Sequence, residues 1–215
     1  MTAHITGAAI VQLHDQLLAQ PDWPGATAPE DGDGAKPWRW VYVNHFHNAS
    51  LWAEEDLARR TRVSDGDIAA NKRAIDRHNQ ARNDAVERID ELLLVALGLV
   101  SVDSARSDAP MTQPGAGARL SSETAGAMID RLSILALKSR AMREQTARSD
   151  VEASHIAICR ARLARLEEQR ADLAACLDRL LAESREGHAW FKVYRQFKMY
   201  NDPAFNPALV AERRS

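Results

Sequence analysis

The sequence predicts an all-α fold, in which long helices form an elongated antiparallel bundle. A stripe with a 3.5-residue repeat covers residues 156–180 and is apolar at seven of its eight positions. A second stripe, from Ile68 to Leu93, is apolar at both ends. Such repeats are typical of long helices packed along one another. Residues 38–46 have some strand character, but a lone strand has no partner in this sequence. The first stripe consists of Ile156, Cys159, Leu163, Leu166, Arg170, Leu173, Leu177 and Leu180.

The N-terminal part is predicted to be a short helix followed by a loop. Ile10, Leu13 and Leu17 recur at helical spacing within residues 5–20. Residues 21–37 contain four prolines and three glycines, a composition typical of loops. We therefore divide the chain into two parts: an N-terminal helix with a Pro/Gly-rich loop, residues 1–37, and a helical bundle domain, residues 38–215.

The first half of the bundle domain is predicted to hold two helices. Residues 38–46 are assigned to a helix or an extended lead-in, and a helix follows over about residues 48–60. Ser64 and Asp67 fit an S-x-x-D cap that opens a long helix. This helix is expected to run to about Leu97, because Gly98 follows as a C-terminal cap.

The second half begins with residues 101–121, whose prolines and glycines predict a mobile connection. A helical unit then starts near Ser122, turns between residues 148 and 151, and continues through the stripe of residues 156–180. A final helix is predicted over residues 188–200, where aromatic and basic residues alternate. This composition predicts aromatics buried against the bundle with basic side chains at the surface, or alternatively a surface on which RNA bases stack.

The composition excludes several classes of protein. The 28 basic and 30 acidic residues leave a net charge of −2, which gives no general attraction for nucleic acid or an anionic membrane. No apolar run approaches the roughly 20 residues of a membrane span. Residues 1–20 lack the pattern of a signal peptide, and the two cysteines, 17 positions apart on one predicted helix, are too distant for a disulfide. We therefore expect a cytoplasmic protein with no membrane span, in which any binding of nucleic acid would have to come from a local patch.

The second stripe carries two polar residues where a packed helix should be apolar. Asn79 and Arg82 stand in its middle. A buried amide and a buried guanidinium are costly unless partners satisfy them. This helix therefore either belongs to a closed polar network or lines a binding site. Beside them runs a stripe of further polar residues at three- or four-residue intervals: Asp76, Gln80, Asn83, Glu87 and Asp90.

Two pairs of carboxylates indicate a metal site as one alternative. Glu55 and Asp56 precede the long helix, and Glu87-x-x-Asp90 lies within it. Oxygen ligands of this kind suit Mg²⁺ or Mn²⁺. The arrangement is similar to the E-E-x-x-E and E-x-x-D motifs of all-helical nucleoside triphosphate pyrophosphohydrolases, although Ala58 stands where the third glutamate belongs. The other alternative is a solvated helix face or a buried ion-pair network.

Other residues are open to two interpretations as well. The basic residues could receive a phosphate or form ordinary ion pairs with nearby acids. His45-x-His47 could ligate a metal, although such pairs are more often cap or core residues. Ile75-Asp76-Arg77 is repeated as Ile129-Asp130-Arg131, which would suit a pseudo-symmetric bundle with a central polar cavity but is short enough to arise by chance. The basic residues in question are Lys72, Arg73, Arg77, Arg131 and Lys138.

Four segments carry a resemblance to a known family. They begin at Asn48 (N-x-x-L-W-x-x-E-D-x-A-R), Lys72 (K-R-x-I-D-x-x-N-Q-x-R-N-D-x-x-E-x-I-D), Ile129 (I-D-R-L-S-I-L-x-L-K) and Tyr194 (Y-R-Q-F-K-M-Y-N-D-P). In this order, over about residues 44–209, the chain resembles the bacterial domain of unknown function 4254 family. The resemblance implies an all-helical bacterial cytoplasmic protein, often associated with lipopolysaccharide or other surface-glycan gene sets, with no assigned catalytic residues. The chain departs from the family pattern at two positions: Ala125, where proline is usual, and Ala141, where histidine is usual.

Three functional classes follow from these observations. The first is an accessory protein of surface-glycan biosynthesis that binds a sugar phosphate, a nucleotide sugar or an enzyme of that process. The second is a metal-dependent phosphohydrolase or transferase that uses Mg²⁺ or Mn²⁺ at Glu55, Asp56, Glu87 and Asp90. The third is a dimerisation or scaffold protein that forms a homodimer. We expect Glu55, Asp76, Asn79, Arg82, Asn83 and Glu87 to converge on one cavity. The candidate ligand-binding residues are Trp52, Glu55, Asp56, Arg59, Arg73, Asp76, Asn79, Arg82, Asn83, Glu87, Asp130, Arg131 and Lys198.

Overall fold

The computed structural model describes residues 5–25, 36–196 and 202–213, and it has the predicted all-α architecture. Two very short strands pair in parallel beside the helices, with Arg119 opposite Ala189 and Leu120 opposite Trp190. In chain order the elements are α1 (Gly7–Leu18), α2 (Pro37–Leu57), α3 (Asp65–Ala96), α4 (Val102–Ala105), β1 (Arg119–Leu120), α5 (Ala125–Thr146), α6 (Ala153–Arg185), β2 (Ala189–Trp190) and α7 (Pro207–Glu212).

The bundle is built from two helical hairpins, α2–α3 and α5–α6. Within the first, His47 bonds His78 and Glu54 bonds Asn71. A later residue of α2 therefore contacts an earlier residue of α3. Within the second, Arg143 near the end of α5 bonds Glu167, whereas Met128 near the start of α5 lines a cavity with Cys176, which comes later in α6. The pairs are therefore antiparallel, as predicted, and α5 packs on both α2 and α3.

The helix boundaries follow the predicted signals. Ser64 and Asp67 form the reciprocal capping box at the start of α3, and each bonds the backbone N–H of the other. Gly98 follows the end of α3 with a φ of +70°, a conformation that favours glycine. The stripe of residues 156–180 supplies the inner face of α6, where Leu173, Leu177 and Leu180 are buried.

Helix α1 packs against α5 and α6. The buried Arg170 of α6 donates two hydrogen bonds to the Asp15 carboxylate and one to the Val11 carbonyl oxygen. At Gly7 a Cβ atom would lie 2.5 Å from the backbone oxygen of Ala174, so only glycine permits this approach. Arg170, the one polar residue of the first stripe, therefore holds α1 against α6.

The division of the chain into residues 1–37 and 38–215 stays a prediction.

Residues 38–46 are helical and continue without a break into the following helix, so α2 is longer than the predicted helix of residues 48–60. The extended alternative for this segment is wrong. Pro37 at the first helical position favours the helical start, because its missing N–H would have no partner there. The connection of residues 101–121 contains α4 and β1.

The predicted final helix over residues 188–200 is wrong in its described part. Gly187, with a φ of +76°, ends α6, and residues 189–190 form β2. Phe191 and Val193 are buried whereas Lys192 and Tyr194 are exposed, which is the two-residue period of an extended chain. Phe191 lies fully in the core, but Tyr194 is 51% exposed, so the aromatic residues are only partly buried. Residues 197–201 lie outside the described residues.

The main core forms around α5, which packs against both α3 and α6. Its central side chains, each with no more than 1% of its surface exposed, include Ile89, Ile129, Leu132, Leu177 and Phe191. Both cysteines are free, as expected from their spacing, with Cys159 buried and Cys176 exposed. Within the described ranges, no helix has the length and apolar character needed to cross a membrane.

Candidate functional site

A cleft of about 450 Å³ opens between α2, α3 and α5. Helix α2 contributes one face at helical spacing, from Asn48 to Asp56, and Arg59 follows just past its end. Helix α3 contributes Ile75, Asn79 and Arg82. The two polar residues that interrupt the second stripe therefore lie at this cleft. The full lining is Asn48, Leu51, Trp52, Glu55, Asp56, Arg59, Ile75, Asn79, Arg82, Ile134 and Leu137.

A hydrogen-bonded network lies directly behind the cleft and centres on Asp130 of α5. Its Oδ1 accepts hydrogen bonds from the side-chain amides of Asn44, at 2.8 Å, and Asn48, at 2.9 Å. The Asn48 amide also donates to Ser133 Oγ at 3.0 Å. Because Asn48 both lines the cleft and belongs to this network, its orientation at the cleft is fixed by buried partners.

Two stacked histidines, His14 and His45, extend the network beyond Ser133. Ser133 Oγ lies 2.7 Å from His45 Nδ1, and the His45 ring stacks on His14 with 4.3 Å between ring centroids. Burial lowers the pKa of His45 to about 3 and the pKa of His14 well below its usual value, with the Arg170 charge acting in the same direction. Both rings are therefore neutral at physiological pH.

Arg82 is the cation closest to the network. Its Nη2 donates to Asn83 Oδ1 at 3.2 Å, and its Nε lies 3.8 Å from Asp130 Oδ1, which is an ion pair without a close hydrogen bond. This buried Nε has no hydrogen-bond partner among the described residues. A guanidinium has five N–H donors, and Arg82 uses one of them in its bond to Asn83. Arg82 can therefore donate further hydrogen bonds to a ligand in the cleft.

Several residues chosen from the sequence lie elsewhere. Asp76 is 60% exposed and bonds Lys72, so the Asp76 half of the internal repeat points to solvent whereas Asp130 points inward. Arg73 is exposed, and Arg131 pairs with Glu123 beside a separate cavity between α5 and α6. Lys198 lies outside the described residues. Of the six residues expected at one cavity, Glu55, Asn79 and Arg82 line the cleft. Asn83 contacts it through its bond to Arg82. Asp76 and Glu87 lie elsewhere.

Glu87 belongs to a second polar cluster at the far end of α3. Arg195 donates to Glu87 Oε2 at 2.9 Å and to Glu91 Oε1 at 2.6 Å. The neighbouring Asp90 is fully buried and accepts a 2.6 Å hydrogen bond from the Gly126 N–H. At Gly126 a Cβ atom would lie 2.6 Å from the Val86 carbonyl oxygen, so this glycine allows α5 to approach α3 closely.

The two predicted carboxylate pairs are far apart. Glu54, next to Glu55, bonds Asn71, and Glu87 lies 16 residues further along α3, which at about 1.5 Å per residue is about 24 Å. Among the described residues, no group of three or more His, Cys, Asp and Glu side chains is arranged to hold a metal ion. His45 and His47 face different neighbours, because His47 Nδ1 lies 3.0 Å from His78 Nδ1.

The comparison with protein families agrees with the resemblance in the sequence. The model of the family described as Protein of unknown function (DUF4254) matches residues 38–193, which is more than half of the chain. The chain belongs to the DUF4254 family. No curated protein and no solved structure gives a significant match.

The two departures from the DUF4254 pattern have different surroundings. Ala125 is the first residue of α5, a position where proline is favoured but not required, so alanine fits the helix start. Ala141 lies on the wall of a groove next to Trp52. The first departure is therefore compatible with the fold, and the second changes the side chain beside the cleft.

The buried partners of Asp130 were not chosen from the sequence. Asn44 and Asn48 lie four residues apart on α2, and this spacing of two amides on one helix face was the available signal. Nothing local marks Ser133, because its role depends on α2 packing against α5.

Proposed function

We propose that this DUF4254 protein binds a small phosphorylated sugar or a nucleotide sugar in the cleft between α2, α3 and α5. One observation carries the proposal: an aromatic ring, two amides and an incompletely bonded guanidinium line the same cleft, as Trp52, Asn48, Asn79 and Arg82. The resemblance to the family adds the proposal that the protein acts in bacterial surface-glycan biosynthesis, as an accessory protein in the cytoplasm.

The chemistry of these side chains fits such a ligand. Arginine N–H groups bind phosphate oxygens, whereas an asparagine amide bonds sugar hydroxyls. The N–H groups of Asn48 are already bonded to Asp130 and Ser133, so Asn48 offers its amide oxygen as an acceptor for a sugar hydroxyl. The ring of Trp52 offers an apolar surface to the carbon face of a sugar. The volume of about 450 Å³ falls within the roughly 300–1,000 Å³ of small-molecule sites.

The buried network fixes the position of one polar group of the cleft, the Asn48 amide. Asn48 is held by Asp130 and Ser133 before any ligand arrives, so ordering it costs little on binding. Ser133 itself is fully buried beneath Asn48, so we assign it to holding the amide and not to attack on a substrate.

We expect the Arg82→Leu variant to lose binding of a sugar phosphate while its free energy of unfolding stays within about 1 kcal/mol of the wild-type value. Arg82 makes one hydrogen bond and one long ion pair, whereas Asp130 keeps two amide donors without it. Calorimetric titration with hexose 1-phosphates and uridine diphosphate hexoses measures the binding, and urea denaturation measures the stability.

Arg77→Leu is the matched control, because Arg77 is exposed on the same helix and outside the cleft. The proposal fails if wild-type protein binds none of these compounds, or if the control lowers binding as much as Arg82→Leu does. Should Arg82→Leu unfold the protein, the residue serves the fold and the closed-network interpretation replaces the binding site.

The metal-dependent alternative keeps one supporting observation, since Glu55 and Asp56 both line the cleft. We expect no rise in melting temperature with millimolar Mg²⁺ or Mn²⁺. Arg59 bonds the Glu55 carboxylate, and Arg195 bonds the distant Glu87 carboxylate. Because arginines already compensate these negative charges, a cation gains little by binding to them. Thermal unfolding monitored by circular dichroism checks this. A rise of several degrees that disappears in Glu55→Gln would instead favour a metal-dependent phosphohydrolase or transferase.

A further inference from the structure

A second groove of about 450 Å³ lies beside the polar cleft, between the ends of α5 and α6 that face the turn at residues 147–152. Trp52 lines both spaces. Ala141, Met142 and Leu166 form most of the apolar wall of this groove. The two spaces therefore meet at one indole ring but differ in character, one polar and one apolar.

The rim of the groove is basic. Lys138, Arg162 and Arg165 border the apolar wall. Among the described residues, Lys138 and Arg162 form no hydrogen bond or ion pair, and Arg165 lies 3.8 Å from the carboxylate of Glu168. An apolar wall with unpaired cations at its edge is complementary to a ligand that combines an anionic group with a hydrocarbon chain.

We propose that the natural ligand is an amphiphile, a phosphorylated sugar joined to an acyl or prenyl chain. The headgroup occupies the polar cleft and the chain occupies the groove, with Trp52 between them. This inference rests on the proposed function, since it extends the ligand of the same cleft. An apolar groove next to a polar cleft suits a hydrocarbon chain on a polar head, and the basic rim matches the negative phosphate.

The test compares two phosphodiesters of glucose 1-phosphate that carry the same charge and differ only in the chain, the methyl and the dodecyl compound, each titrated calorimetrically below the micelle concentration. We expect the dodecyl compound to bind at least about 100-fold more tightly, because burying even a few methylenes gives such a gain. The gain should disappear in Leu166→Asp and in Ala141→Trp, while the methyl compound binds both variants as it binds the wild type.

Ile158→Asp is the matched control for Leu166→Asp, because Ile158 is 52% exposed on the same helix and outside the groove. Ala141→Trp adds volume at a half-buried position and keeps the test valid if the aspartate variant does not fold. Equal affinity for the two probes, or a gain that persists in Ala141→Trp, overturns the inference and leaves the sugar-phosphate site intact.

Two further outcomes separate the inference from the proposed function. Loss of binding of both probes in Arg82→Leu supports the head-and-tail arrangement. If glucose 1-phosphate does not bind at all, the proposed function fails first, and the inference fails with it. If light scattering shows a wild-type dimer that Leu166→Asp converts to monomers, the groove is an interface between two copies and the amphiphile is excluded.

Discussion

Replacement of Arg195 by alanine is expected to lower the free energy of unfolding by about 3 kcal/mol. Its guanidinium bonds the carboxylates of Glu87 and Glu91 and the backbone oxygens of Ala105 and Ser107. The side chains of Arg195 and Glu91 are only 17% and 6% exposed, so the variant leaves buried negative charge with fewer partners. Arg88 remains bonded to Glu91 in the variant. The expected loss of stability therefore lies at the low end of the about 3–5 kcal/mol that breaking a buried ion pair costs. Urea denaturation measures the change.

Arg119→Ala provides the matched control. Arg119 also pairs with a glutamate, Glu183, but its side chain is 61% exposed, and exposed pairs contribute about 0–1 kcal/mol. The two variants therefore remove the same kind of bond at different burial. If they lower stability equally, the segment that follows β2 is not held by Arg195, and the cluster at the end of α3 has no part in fixing the C-terminal region.

Replacement of Asp90 by asparagine is expected to remove a pH dependence of stability. Burial raises the pKa of Asp90 to about 7, and the charges of Glu87 and Glu91 add to this effect, whereas hydrogen bonds from Thr124 and Gly126 oppose it. The folded protein therefore holds a proton that the unfolded chain releases near pH 4, so the stabilisation from protonated Asp90 is lost as the pH rises through about 7.

Asparagine mimics the protonated acid, since its oxygen still accepts from the Gly126 N–H and its amide can donate to Thr124. The stability of Asp90→Asn relative to wild type should therefore rise between pH 4 and pH 7, by at most about 1.4 kcal/mol per pH unit. Urea denaturation at several pH values measures the difference.

The control for this experiment is Asp84→Asn, an exposed position on the same helix, which should stay within about 0.5 kcal/mol of wild type at every pH. The pKa values of His14, His45, His47 and His78 are lowered, so protonation of these residues reduces stability below about pH 6.5. This effect is the same in Asp90→Asn and in wild type and cancels in their difference. A constant difference between Asp90→Asn and wild type would show that Asp90 stays ionised in the fold.

Helix boundaries were readable from short segments because their signals are local. The Ser64–Asp67 capping box and Gly98 act within a few residues of the helix ends that they define. The segment after Gly187 was misread because β2 depends on pairing with β1, about 70 residues earlier in the chain. Its two-residue period is short and was masked by a composition that also suits a helix.

Sequence periodicity also located part of the candidate site. The polar interruption at Asn79 and Arg82 was visible as a defect in an apolar stripe, and both residues line the cleft. Which carboxylates accompany them was not visible. Asp76 and Glu87 share a helix with Arg82, yet one lies in solvent and the other bonds Arg195, because their positions around and along α3 meet different neighbours.

By itself, the sequence determined the all-α class, the caps, the inner face of α6 and the two polar residues that interrupt the apolar stripe of α3. These properties depend on the spacing of residues within one helix. Only the tertiary structure decided that Asp130 gathers Asn44 and Asn48, that Glu87 serves a distant cluster, and that Trp52 joins a polar cleft to an apolar groove. Those relations arise from the packing of α2, α3, α5 and α6, which sets the partner of each buried polar group, and helical spacing alone leaves that partner open.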